Sequence, residues 1–130
     1  MEKEKIVLCD TDVMIEFYRN NPKILDQLLQ IGQKRLAVSV ITFGELIFGA
    51  INKRELQQIK KDLASINVIE IDHGISIRFL QLMDQYALSH KISIPDAMIA
   101  ATAIEHDLEL FTLNLKDFRF IDGLQLLHRS

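Results

Sequence analysis

The run Ile6-Val7-Leu8-Cys9-Asp10-Thr11-Asp12 constrains the fold most, because four apolar residues lead into two acids with no turn residue between them. An unbroken apolar run is the signature of a strand covered on both faces, as in a parallel sheet flanked by helices. Val13, Met14, Phe17 and Tyr18 then recur at helical spacing, so the hydrophobic period changes beside Asp10. Asp10 is therefore expected at a strand-to-helix junction, on the edge where open α/β sheets build their binding sites.

The remaining chain continues the alternation. Asn20-Asn21-Pro22 marks a turn, with Pro22 placed to start a helix whose apolar face is Ile24, Leu25, Leu28, Leu29 and Ile31 and which Gly32 ends. Leu36 to Ile41 reads as a second strand, followed by Thr42-Phe43-Gly44-Glu45, a capping-box pattern. Leu56, Ile59, Leu63 and Ile66 give a helical stripe across the charged segment from Lys53 to Ile66. Val68 to Ile71 reads as a third strand, and Ile75 to His90 as a long amphipathic helix carrying Phe79, Leu80, Met83 and Leu88. Its stripe is expected mainly in the core.

Pro95 suits a first helical turn and biases Ile94 to extended backbone. The helix it opens, Asp96 to about Glu105, is rich in alanine, which implies close packing on its neighbours. Leu108 to Thr112 is a fourth strand, Leu115 to Phe118 a helical turn, and Leu124 to Leu127 an edge strand. The pattern predicts a three-layer α/β/α sandwich around a mainly parallel central sheet, with right-handed crossovers gathering the strand-to-helix junctions on one edge.

A length of 130 residues suits one domain spanning 1–130, with 48% hydrophobic and 25% charged residues typical of a globular protein. The single cysteine, Cys9, excludes an internal disulfide and fits a reducing compartment; its place in the first strand predicts buried packing. The N-terminal Met1-Glu2-Lys3-Glu4-Lys5 leads into an apolar run too short for a signal sequence or a membrane span, so a cytoplasmic location and no membrane partner are expected. Net charge is −3, from 15 Lys and Arg against 18 Asp and Glu, which argues against nucleic-acid binding through a general basic surface. A nuclease stays open, because acids gathered around metal ions reverse the sign that a phosphodiester meets.

Asp10, Glu45, Asp96 and Asp117 fall at or near the predicted junctions. Carboxylates unaccompanied by Cys or His suit hard cations, Mg²⁺ or Mn²⁺ rather than Zn²⁺. Two such ions can stabilise the attacking and leaving oxygens of a phosphodiester displacement. Each acid also has a capping explanation. Asp10 fits an Asx cap, Glu45 the capping box of Thr42, Asp96 a first-turn anion, and Asp117 the same behind Asn114. A parallel fold places all such caps on one edge, so residue chemistry alone leaves the two readings open.

Four ordered motifs go further. Asp10-Thr11-Asp12 after an apolar strand is followed by Ser39-Val40-Ile41-Thr42-Phe43-Gly44-Glu45-Leu46 with Gly49. Then come Pro95-Asp96-Ala97-Met98-Ile99-Ala100-Ala101-Thr102-Ala103 and Thr112-Leu113-Asn114-Leu115-Lys116-Asp117-Phe118. Across essentially the whole chain this order and spacing resembles a PIN domain of the kind found in VapC-like toxins of bacterial toxin-antitoxin pairs. The resemblance implies a Mg²⁺- or Mn²⁺-dependent endoribonuclease in which Asp10, Glu45 and Asp96 bind metal. The fourth acid stands in similar proteins either where Asn114 or where Asp117 stands; Asp117 is assigned as the acid and Asn114 as a helper. Thr11 and Thr112 are expected to hydrogen-bond the acids, and Asp12 to have a minor role. The resemblance also implies an RNA substrate, a cognate antitoxin and a homodimer.

Other readings are weaker. Asp10-Thr11-Asp12 is similar to the nucleophile motif of haloacid dehalogenase phosphatases, but Val13-Met14 replaces the following Gly-Thr and no later Gly-Asp pair supplies the metal site. A receiver domain would want a lysine just after Thr112, where Leu113 and Asn114 stand. A PIN-like module that binds RNA or protein without cutting is the main alternative. His73, His90, His106 and His128 have no ligand spacing and are expected in surface or local roles. Lys53-Arg54 and Lys60-Lys61 read as a solvated helix face.

Overall fold

The computed structural model describes residues 5–127; the charged start at 1–4 and the segment 128–130 with His128 lie outside the described residues. At its centre is strand β1 (Val7–Cys9), whose three residues are at most 1% exposed. The chain continues through α1 (Thr11–Tyr18), α2 (Pro22–Ile31), β2 (Leu36–Ser39), α3 (Val40–Phe48), α4 (Lys53–Leu63) and β3 (Asn67–Ile69). It ends with α5 (His73–His90), α6 (Ile94–Glu105), β4 (Glu109–Phe111) and the short β5 (Gln125–Leu126). The sheet order is β3-β2-β1-β4-β5 and every neighbouring pair is parallel.

Strand alternation divides the apolar side chains between two helical layers. Leu8, Ala37 and Leu110 face the layer of α5 and α6, where they meet Ile75, Leu82, Tyr86, Ala97, Ala100 and Ala101. Their strand neighbours Val7, Cys9, Val38 and Phe111 face α1 to α4, against Val13, Met14, Ile24, Leu28, Leu46, Ile59 and Leu63. Both faces of the sheet are thus covered at its centre, which is why β1 and β2 read as apolar runs rather than alternating ones. The expected α/β/α sandwich is the architecture observed. Each fully buried Val or Leu in these layers contributes about 1.5–3 kcal/mol. The alanines of α6 are at most 1% exposed at 97, 100, 101 and 103, and this lets α5 pack along α6.

Several boundaries differ from expectation for local reasons. The second strand stops at Ser39, because the Ser39 hydroxyl accepts a hydrogen bond from the Ile41 amide at 2.9 Å and caps α3 about one turn before Thr42. Ser93, not Ile94, carries the extended backbone before α6. The α5 stripe is only partly internal: Ile75, Leu82 and Tyr86 are buried, whereas Leu80 is 65% and Leu88 88% exposed. No helix among the described residues is long and apolar enough to cross a membrane.

Candidate metal centre and active site

Asp10 is fixed from three directions. Its backbone amide donates to the Phe111 carbonyl at 2.9 Å, which ties the end of β1 to β4. Its carboxylate accepts from the Thr11 amide at 2.8 Å, capping α1, and from the Thr112 hydroxyl at 2.8 Å. Thr112 is itself buried and its Oγ1 accepts from the Asn114 amide at 3.0 Å, so the loop after β4 is anchored to the acid. Asp10 is therefore a cap as well as a buried acid at the sheet edge.

Glu45 lies on α3, and the early start of that helix removes the capping-box explanation for it. Thr42 is fully buried inside α3, and its hydroxyl lies 3.0 Å from the Thr11 hydroxyl. Thr11 Oγ1 donates to Glu45 Oε1 at 2.7 Å, joining α1 to α3 through their side chains. Asp12, given a minor role from the sequence, sits beside Asp10. The Leu113 amide donates to its carboxylate at 3.1 and 3.3 Å, and Thr112 Oγ1 lies 3.5 Å from it. The overlooked signal was positional: an Asp-x-Asp straddling a helix start turns a cap and a first-turn side chain toward the same edge.

Asp96 occupies the first turn of α6, where its amide donates to the capping Ser93 hydroxyl at 3.2 Å and its side chain is half-buried. Asp117 ends the 3-10 turn Leu115–Asp117, is exposed, and lies close enough for its charge to act on Asp96. Asn114 precedes that turn; its side chain makes no capping bond, and its contact with the site is the backbone bond to Thr112.

The electrostatics are those of crowded carboxylates. Burial, then the charge of Asp12 and more weakly that of Asp96, pushes the Asp10 carboxyl up to about 7 against the opposing bonds from Thr112 and Thr11. Burial also raises Asp12, and it raises Asp96 with help from Asp117, Glu45 and Asp12. Other carboxylates, rather than a Lys or Arg, are the leading charges on Asp10 and Asp96. Cys9 next door is pushed up to about 12 by burial and by Asp10, leaving an inert packed thiol.

The acids act on one another through their charges but do not converge on one point. Among the described residues no three Asp, Glu, His or Cys side chains close around a common point, and Glu45 and Asp12 rest on hydroxyl and amide donors. As a donor set they are all oxygen, buried or half-buried at Asp10 and Asp96, and mutually repulsive. That composition fits a hard divalent cation, which relieves the repulsion. Asp96 and Asp117 also open into a cavity of about 480 Å³. The histidines stand apart: His106 Nε2 pairs with Asp72 Oδ2 at 2.8 Å, and His90 stacks on Phe120.

Comparisons with known proteins converge on one group. The family model described as PIN domain matches residues 7–124. A protein named ribonuclease VapC10 from Mycobacterium tuberculosis is 34% identical over 122 residues, covering 92% of this chain and 91% of that protein. A toxin-antitoxin complex from Klebsiella pneumoniae contains a chain 34% identical, with TM-score 0.78 and coverage of 91% and 94%. A DNA-bound VapBC from Salmonella typhimurium contains a chain 25% identical, with TM-score 0.85 and coverage of 95% and 98%.

Proposed function

This chain belongs to the PIN domain family, and from that premise we propose that it is a Mg²⁺- or Mn²⁺-dependent endoribonuclease, the toxin of a toxin-antitoxin pair. The observation that carries the reading is the crowding of Asp10, Asp12, Glu45 and Asp96 at the end of β1, with burial and mutual repulsion raising Asp10 and Asp96. Uncompensated buried charge is costly, and a divalent cation is the partner that oxygen donors of this kind fit.

Asp10, Glu45, Asp96 and Asp117 would hold the ion. Bound there, it supplies positive charge for the phosphodiester and makes a coordinated water more acidic. The chain's own part is positional. Thr112 fixes Asp10 Oδ2, Thr11 fixes Glu45 Oε1, and the Ser93 cap holds the Asp96 backbone amide. Asn114 helps to orient water or a carboxylate at the mouth of the site. The reaction is hydrolysis, with water attacking phosphorus and no covalent protein intermediate, since the edge offers carboxylates and hydroxyls held in hydrogen bonds and its one thiol is buried and inert.

The whole sequence 1–130 acts as one PIN-like domain in the cytoplasm, as a homodimer held in check by a cognate antitoxin. Apolar side chains without cover support protein partners: Leu29 is 80%, Phe48 92% and Ile51 81% exposed. Purified protein with labelled RNA should cut it in Mg²⁺ or Mn²⁺ and not in EDTA, and Asp96→Asn should abolish cutting while retaining the fold by circular dichroism. Cleavage by that variant, with contaminating ribonuclease excluded, refutes the assignment. Metal-independent RNA binding without cleavage supports the non-cutting alternative.

A further inference from the structure

The cavity that Asp96 and Asp117 share is also lined by cations and rings. Lys91, Lys116 and Arg119 line it together with His90 and Phe120. All three cations are exposed, and among the described residues none is held in an ion pair. The chain is acidic overall, so unpaired positive charge gathered beside the acids stands against the general trend. The rings form a built stack. His90 lies parallel to Phe120 with centroids 4.0 Å apart and planes 9° from parallel, and Tyr86 meets both edge-on at 5.6 and 5.1 Å. Ser89 Oγ lies 2.7 Å from His90 Nδ1, and the Asp122 amide donates to Tyr86 Oη, which holds the group in place. Phe120 covers one face of the exposed imidazole, and both rings line the cavity.

Lys91 adds an independent mark. It ends α5 with φ of 54°, in the left-handed region where glycine is the unstrained choice. A lysine there costs stability and places an ammonium at the rim of the cavity.

Resting on the nuclease reading above, we infer that this cavity is a subsite for one unpaired nucleotide of the RNA next to the bond that is cut. Its base extends the Phe120–His90 stack, and Lys91, Lys116 and Arg119 take the flanking phosphate. A base can join such a stack only after leaving its own helix, so the subsite selects single strands, loops or bulges over duplex. Stacking tolerates any base, so the subsite sets strandedness rather than sequence.

The test uses the full chain carrying Asp96→Asn in EDTA and a fluorescent single-stranded RNA read by anisotropy, beside an oligomer with an abasic ribose at each position in turn. His90→Ala should weaken the base-bearing RNA about tenfold and the best-placed abasic oligomer less than twofold. Arg119→Ala should weaken both alike and flatten the slope of log affinity on log salt by about 0.7. Lys91→Gly should weaken binding while raising Tm by about 3 °C, opposite signs that loss of folding cannot produce. Equal effects of His90→Ala on both oligomers, duplex binding as tight as single-strand binding, or loss confined to a poly-glutamate probe would each overturn the inference. Cleavage by the wild-type chain in Mg²⁺ is scored separately. Intact cleavage with unaltered binding by these variants removes the subsite alone, whereas no cleavage with the binding pattern present removes the hydrolase reading alone.

Discussion

Replacing Asp10 by Asn should make the metal-free protein more stable while removing its activity. The residue is 5% exposed and its carboxyl is pushed up to about 7, against roughly 3.9 in an unfolded chain. A folded pKa above the unfolded one means that the acid destabilises the fold wherever it must ionise. The penalty is absent below about pH 4, grows through the interval and is complete above about 7. At 1.36 kcal/mol per unit it reaches about 4 kcal/mol at pH 8, as an order of magnitude. Asn keeps the shape and one acceptor. Its oxygen can retain the Thr11 amide bond, and the displaced Thr112 hydroxyl still has Asp12 Oδ2 at 3.5 Å as an acceptor. One neutral bond lost costs about 1 kcal/mol. The net gain is about 3 kcal/mol, or roughly 10 °C in Tm for a chain of this size. Thermal unfolding in EDTA between pH 5.5 and 8 tests it: the wild type should lose stability as pH rises, and the variant should show a flatter dependence. A variant less stable than wild type at pH 8, or one with the same pH slope, refutes the argument that burial and Asp12 load this acid.

Further expectations follow from the same geometry. Thr11→Ala should leave the fold within about 1 kcal/mol but cut activity 10–100-fold, because Glu45 loses the 2.7 Å bond that aims it; kcat with a chemical denaturation curve separates the two effects. Mg²⁺ or Mn²⁺ should raise the Tm of the wild type and much less that of Asp96→Asn, a thermal-shift measurement that needs no substrate. Phe111→Ala empties a fully buried position beside Cys9 and should cost about 3–5 kcal/mol by urea unfolding, with m nearly unchanged.

Much of this molecule was legible in its residues because the strands are buried on both faces. Val7 to Cys9 and Leu36 to Val38 could be read as apolar runs, and Pro22 and Gly32 mark the ends of α2 where they stand. The start of α3 was misread because Ser39 and Thr42 are both good caps and only the backbone path decides between them. The outward Leu80 and Leu88 were equally hidden, since periodicity records an apolar stripe and not what covers it. At the site, the positions of Asp10 and Asp96 at helix starts were readable from local pattern. The closeness of Asp12 to Asp10 was underrated, because it depends on the Leu113 amide, about a hundred residues away in sequence. The ring stack of His90 and Phe120 carried no sequence signal at all, since it joins the end of α5 to the segment after the 3-10 turn.

The position of β1 between β2 and β4 governs when the site can exist. Val7 pairs with Leu36 on one side and with Glu109 on the other, so the partners on one side of the central strand are made only about a hundred residues later. Until Thr112 arrives, Asp10 lacks one of its hydrogen-bond donors and the edge of β1 is open. Closing so long a loop is entropically slow, and it gives the fold a high contact order. A growing chain therefore has no finished acid cluster until β4 and Thr112 have been made, and cleavage should begin only after β4 has docked beside β1.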